Sequence, residues 1–226
     1  MLRHLFRRRQ EPQIYLISYP KTGRTWLRAL IGKALCERYG LSEEQLLDTE
    51  ALTATAGLPR AVFTHDGSAM KEQKSYRELS PDKRFYRDKK VVLLGRDVRD
   101  TLVSAYFQAT RRIHVFEGTM SEFIRDERFG AIKMLTFYRY WYENREVPAA
   151  FLLLRYEELH RDTAGWLKKV LHFMGAGHIP EAIIDRAVEF CQFENMRRAE
   201  MENRFGSARL SPRDVQDPES FKVRRG

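Results

Sequence analysis

The chain has 226 residues, 43% of them hydrophobic and 31% charged, a balance that suits one folded domain and excludes a largely disordered chain. A formal charge of +9 favours anionic partners without choosing among nucleotides, sulfated compounds, nucleic acid and lipid headgroups. Its 2 cysteines, Cys36 and Cys191, give neither a disulfide framework nor a thiolate metal cluster and fit a reducing, cytoplasmic setting.

Met1 to Arg9 is basic and no apolar stretch follows it, so residues 1–12 read as a basic leader rather than a secretion signal. No apolar run approaches the ~20 residues that cross a bilayer. Ile14 to Ser18 is a short apolar run ending in a turn with Pro20 and Gly23, the pattern of a buried strand. A helical pattern follows from about Gly23 to Tyr39, with Trp26, Leu27, Leu30, Ile31, Ala34 and Leu35 at helical spacing. Ala61 to Thr64 and Lys90 to Leu94 are the second and third strands, and a helix from Val98 to Ala109 follows the third. Thr119 and Glu122 have the spacing of a capping box. Further helices are expected over 132–142, over 163–174 and from Pro180, with a fourth strand over Ala150 to Leu154. From Gly206 the chain is polar and reads as a loop or tail. Strands alternating with helices predict an α/β fold over 1–226: three layers, a central parallel sheet with helices on both faces, of P-loop nucleotide-binding type.

Three segments carry chemistry. Ser18-Tyr-Pro-Lys-Thr-Gly-Arg-Thr-Trp26 joins the first strand to the first helix, where exposed amides and the helix dipole favour an anion. Gly23 lets the backbone turn close to a phosphate, Lys21 supplies a mobile charge, and Thr22 and Thr25 offer donors. It is not a Walker A sequence, because Lys21 precedes the glycine. The plainer reading is an ordinary strand-to-helix turn. Beyond the third strand, Arg96 offers a planar fork and Ser104 a directional hydroxyl, able to meet one phosphate from two sides. The same residues also read as a helix start capped by Asp97. His65, at the end of the second strand, is suited to take a proton from an acceptor hydroxyl, or is a hydrogen-bonded strand-end histidine. Asp66 beside it reads as an exposed turn residue, or one that tunes the base or binds a cationic acceptor.

Tyr19-Pro-Lys-Thr-Gly-Arg-Thr-Trp26 resembles the phosphosulfate-binding loop, YPKSGTTW, of the sulfotransferases that use 3′-phosphoadenosine 5′-phosphosulfate (PAPS). The resemblance implies PAPS as donor, and no metal is expected because the sequence has no HxxxH, no cysteine cluster and no carboxylate pair beside the loop. Lys21, Thr22, Gly23, Arg24 and Thr25 then hold the 5′ end, Lys21 reaches the bridging oxygen, and Trp26 lies on the adenine. Arg96 and Ser104 have the spacing of the family's 3′-phosphate site, with Ser104 also restraining Lys21. His65 matches the general base, although Phe63 stands where the family often has lysine. Tyr156, after the fourth strand, matches a nucleotide contact, or else caps the sheet. Phe193, in a stretch like TSFxxM, matches the second adenine contact, or else belongs to the core. Arg224, Arg225 and Gly226 match the start of RKGxxGDWK, so the resemblance implies an incomplete 3′-phosphate element in 206–226. The expected activity is sulfuryl transfer to a hydroxyl or amine of a small acceptor. A P-loop kinase or other phosphotransferase is the rival enzyme, opposed by the glycine order. A nucleic-acid-binding protein is the rival binder, opposed by the scatter of the arginines.

Overall fold

Strand β1 (Ile14–Ser18) and strand β3 (Lys90–Gly95) send alternate side chains to opposite faces, and both faces are covered. Ile14, Leu16, Val92 and Leu94 enter one core, while Ile17, Val91 and Leu93 enter the other. Burial on both sides is why these strands read as unbroken apolar runs. With β2 (Ala61–Thr64) and β4 (Ala150–Arg155) they form one parallel sheet in the order β2-β1-β3-β4. The computed structural model describes residues 11–223. Most of the expected basic leader, and the candidate residues Arg224, Arg225 and Gly226, lie outside the described residues.

Helices in chain order are α1 (Arg24–Tyr39), α2 (Thr49–Thr55), α3 (Val98–Phe107), α4 (Met120–Arg125), α5 (Ala131–Glu143), α6 (Tyr156–Arg161), α7 (Thr163–Phe173), α8 (Glu181–Phe190) and α9 (Phe193–Met201). One core takes Leu27 and Leu30 of α1, Leu167 of α7, Ile184 of α8 and Met196 of α9. The other takes Leu102 of α3, Phe123 of α4 and Met134, Phe137 and Trp141 of α5. Thr119 forms its capping box with Glu122, whose carboxylate accepts from the Thr119 amide at 2.7 Å.

Several expectations change. The helix expected over Val98 to Ala109 leaves the α form after Phe107 and continues as a π-helical turn, Gln108–Arg112. Pro180 is the residue before α8 rather than part of its first turn. Helix α2 is rich in threonine, a poor helix former, and is held by Asp48, whose side chain accepts from the Ala51 amide. The polar segment after Gly206 is folded onto the body through two apolar anchors, Leu210 and Phe221, both buried. Arg112 donates to the carbonyls of Ser211 and Ser220, each at 2.6 Å, and so ties both ends of that segment.

The P-loop nucleotide-binding type expected for the fold does not hold. The turn from β1 to α1 is only Tyr19 to Gly23, with Lys21 itself in the left-handed region (φ 71) ahead of the glycine. A P-loop instead needs a glycine-led loop with its lysine after the second glycine, at the helix entrance. The chain runs out from β1 to β2 on one side and to β3 on the other, leaving a crevice at the carboxyl ends of β1 and β3.

Candidate active site

Strand register brings the site together. Ile17 pairs with Thr64, so the next residues, Ser18 and His65, are neighbours. Ser18 pairs with Leu94, and Gly95 with Arg155, so Arg96 follows beside both the β1 turn and Tyr156. Four strand ends thus deliver Lys21, His65, Arg96 and Tyr156 to one edge of the sheet. Arg24, Thr25, Trp26, Ser104 and Phe193 join them on the wall of a single cavity of about 910 Å³.

In the turn, Lys21 (φ 71) and Gly23 (φ 93) are both left-handed and flank Thr22. Such alternation turns successive amides towards one hollow, a shape that takes anions. Gly23 has a second constraint, since a Cβ there would lie 2.5 Å from Cδ2 of Tyr156. Thr22 is fully buried, and its hydroxyl donates to the Tyr19 carbonyl at 2.9 Å. Only its backbone amide is left to face a ligand. Lys21 Nζ donates to Gln108 Oε1 at 3.3 Å.

Across the crevice, Arg96 Nη1 donates to the Lys21 carbonyl at 3.4 Å, and the guanidinium lies 4.4 Å over the ring of Tyr156. Its Nε is buried without a partner, a donor that an oxyanion in the cavity can use. Asp97 caps α3, accepting from the amides of Arg99 and Asp100, so the capping role and the cavity role belong to adjacent residues. Tyr156 opens α6 and sits between the turn and Arg96. Trp26 donates Nε1–H to the Cys191 carbonyl at 2.9 Å, which fixes the plane of its ring on the wall.

His65 has a defined tautomer. Its Nδ1 is 2.7 Å from the Ser18 carbonyl, so Nδ1 carries the proton and Nε2 keeps its lone pair. Burial, and next the positive charge of Arg24, push its pKa down to about 3. The imidazole is therefore neutral at physiological pH. Lys222, also on the cavity wall, is pushed down to about 7 by burial and then by Arg112 and Lys21.

Sequence reasoning missed several participants. Gln108 lies on the π-helical turn, a distortion common at functional sites that no sequence pattern announces. Asp66, expected as an exposed turn aspartate, is an interior acceptor. Its carboxylate receives Lys83 Nζ at 2.6 Å, Tyr86 Oη at 2.8 Å and Trp141 Nε1 at 3.0 Å. Those donors arrive from segments 17 to 75 residues away, so nothing local signalled them. Among the described residues no group of three or more His, Cys, Asp or Glu is placed to hold a metal ion, and no helix is long and apolar enough to cross a membrane.

Comparison with known proteins gives a consistent picture. The family model of the sulfotransferase domain matches residues 11–221. Flavonol 3-sulfotransferase of Flaveria bidentis is 25% identical over 210 residues, covering 83% of this chain and 66% of that protein. The 3-beta-hydroxysteroid sulfotransferase of Cavia porcellus is 27% identical over 199 residues, covering 83% and 67%. The chain thus spans about two thirds of the length of these curated relatives. Among solved structures, retinol dehydratase with retinol and PAP has a TM-score of 0.62 at 17% identity, over 94% of this chain and 73% of that one. A mouse sulfotransferase complexed with PAP has a TM-score of 0.56 at 21% identity, over 82% and 66%. These likenesses are of fold, and they replace the P-loop class with the architecture those proteins share.

Proposed function

Because the chain belongs to the sulfotransferase-domain family, we propose that it moves a sulfuryl group from PAPS to a hydroxyl or amine on a small acceptor. The observation that carries this reading is the meeting of Lys21 and His65 on one cavity wall, with a cationic anchor, Arg96, across the crevice. The residues fit an adenosine bisphosphate with an activated sulfate. The amides after β1 and Lys21 suit the 5′ end, the orphaned Nε of Arg96 with Ser104 suits the 3′-phosphate, and Trp26 and Phe193 suit the adenine. Tyr156 backs both Gly23 and Arg96. Arg24 adds charge at the helix start, and Thr25 adds a hydroxyl. Arg224, Arg225 and Gly226 are proposed only by resemblance.

The donor supplies the sulfuryl group, whose bond to the phosphate oxygen breaks as the acceptor oxygen or nitrogen forms the new one. His65 takes the acceptor's proton at Nε2, since Nδ1–H is committed to Ser18. Lys21 and the loop amides meet the negative charge that grows on the leaving phosphate. Gln108, which holds Lys21 Nζ, suits the restraint of that ammonium until the acceptor arrives, a task the resemblance gave to Ser104. Relatives named for a flavonol and a 3-beta-hydroxysteroid support a hydroxyl acceptor, and Arabidopsis thaliana relatives named cytosolic sulfotransferases support a cytoplasmic setting.

Calorimetry with adenosine 3′,5′-bisphosphate, ATP with Mg²⁺, and a short oligonucleotide separates this reading from a kinase and a nucleic-acid binder. Binding of the bisphosphate without metal, in preference to the other two, is expected. Lys21→Ala is expected to lower sulfuryl transfer by at least ~100-fold, the scale of one lost charge-stabilising donor, with an unchanged unfolding midpoint. Full turnover in that variant would remove the mechanism.

A further inference from the structure

His65 opens a turn whose two central residues are Asp66 and Gly67. Both have positive φ, 45 and 79, and the Ser68 amide donates back to the His65 carbonyl at 2.9 Å. Positive φ at both centres is the mirror-image form of a tight turn, for which Asp-Gly is a favoured pair. Ser68 is fully buried, and its hydroxyl donates to the same carbonyl at 2.7 Å. The Asp66 amide donates to the Thr64 hydroxyl at 3.1 Å. This turn separates two stretches of the cavity wall, His65 before it and Ala69, Met70 and Lys71 after it.

Asp66 is not on that wall, and neither are the three side chains that grip it. One carboxylate oxygen takes Lys83 and Trp141, and the other takes Tyr86. Lys83 is 3% exposed and also donates to the Ser80 carbonyl at 2.8 Å, so its ammonium is held from two sides. Trp141 is fully buried on α5. Burial, and next the Asp66 charge, push the Tyr86 hydroxyl up, so it stays a donor. Turn chemistry accounts for an aspartate at this position. It does not account for a buried lysine, a tyrosine and a tryptophan converging on that carboxylate. Buried donors of this kind fix the group they share, because moving it leaves each of them unpaired.

The imidazole is thus held at two points, its Nδ1–H by Ser18 on the β1 side and its main chain by the anchored turn. We propose that Asp66 is a positioning residue, which through Lys83, Tyr86 and Trp141 fixes the turn that aims His65 and residues 69–71 into the cavity. Its importance for turnover rests on the sulfuryl-transfer reading above. Lys21, Arg96 and Ser104, suited to the donor, follow β1 and β3, so the anchor serves the base and not the donor.

Asp66→Asn tests the carboxylate alone, since asparagine also tolerates a left-handed backbone. It leaves Lys83 buried beside no anion, so the double variant Asp66→Asn, Lys83→Met is made with it. Long-range ¹H–¹⁵N spectra report the tautomer of the ring, with His65→Gln identifying its signals. The unaltered protein is expected to show His65 protonated at Nδ1 alone, and both variants a mixture of tautomers. The Ser68 amide is expected to exchange at least ~10-fold faster in both variants relative to the β3 amides. Affinity for adenosine 3′,5′-bisphosphate is expected to stay within ~2-fold, because the sites are separate. Ser68 and β3 amides that speed up together would show a purely structural role. A double variant that keeps the single Nδ1–H tautomer overturns the proposal, even where Asp66→Asn alone does not fold. An unaltered protein with His65 protonated at Nε2 overturns it without any variant. An unaltered protein that does not bind the bisphosphate sinks the sulfuryl-transfer reading instead, and the ring's signals still decide whether Asp66 positions it.

Discussion

His65 donates Nδ1–H to the Ser18 carbonyl and is surrounded by positive charge, so its neutral form is favoured well below the pH at which a solvated histidine protonates. The consequence has a definite sign. A base that works as neutral imidazole stays competent as pH falls through 6.5, since its folded pKa is about 3. The kcat/KM for the donor, which reports the free enzyme, is expected to lack an acid limb near pH 6.5 and to decline only at lower pH. A half-maximal point at pH 6.5 would contradict the environment described for this ring. Stability follows the same group. Its contribution is present above the unfolded value near 6.5 and is lost as pH falls towards 3, because the unfolded chain then binds the proton more readily. The residue type and its place after a strand were legible in the sequence. The depressed pKa was not, because it arises from Arg24, Arg28 and Lys133, which meet His65 only in the fold. Asp66 makes the same point, since its three side-chain donors come from distant segments.

The β1–α1 turn is the element on which the site depends, and its two ends can be compared with a neutral position on the same helix. Gly23 and Gly40 flank α1, both left-handed, at φ 93 and φ 64. A Cβ at Gly40 meets nothing within 4 Å, so Gly40→Ala is expected to cost only the backbone penalty, about 1 kcal/mol. A Cβ at Gly23 strikes the Tyr156 ring at 2.5 Å, and that ring also supports Arg96. Gly23→Ala is therefore expected to destabilise more than Gly40→Ala and to weaken bisphosphate binding at least ~10-fold. Urea unfolding and calorimetry on the two variants check this, and equal effects at both positions would refute the packing argument. The sequence made this element readable because its residues are contiguous. It did not show that Thr22 turns its hydroxyl inward or that Tyr156 packs on the glycine. The first depends on a local hydrogen bond chosen by the turn's φ values, the second on the register between β3 and β4.

At the scale of the molecule, the polar stretch after Gly206 brings Lys222 and Val223 to the cavity wall. It is held by a buried carboxylate, Glu200, which accepts the amides of Lys222 and Val223, each at 2.8 Å. Arg112 lies 3.5 Å from the same carboxylate and ties the segment's carbonyls. Glu200→Ala removes the acceptor and leaves Arg112 buried beside no anion. A loss of about 3 kcal/mol in stability is expected, with faster hydrogen exchange in 207–223 and weaker bisphosphate binding, because Lys222 and Val223 line the cavity. Exchange unchanged in 207–223 would show that the segment is held by other means. By itself the sequence determined the four strands, the order of strand and helix, and the place of the turn between β1 and α1, because these rest on contiguous patterns of apolar, turn and charged residues. Only the tertiary structure decided which strand ends lie side by side, how the loop after Gly206 is anchored, and that the charges of Arg24, Arg28 and Lys133 act on His65. Those outcomes depend on strand register and on packing between residues far apart in the chain, and local patterns carry no record of either.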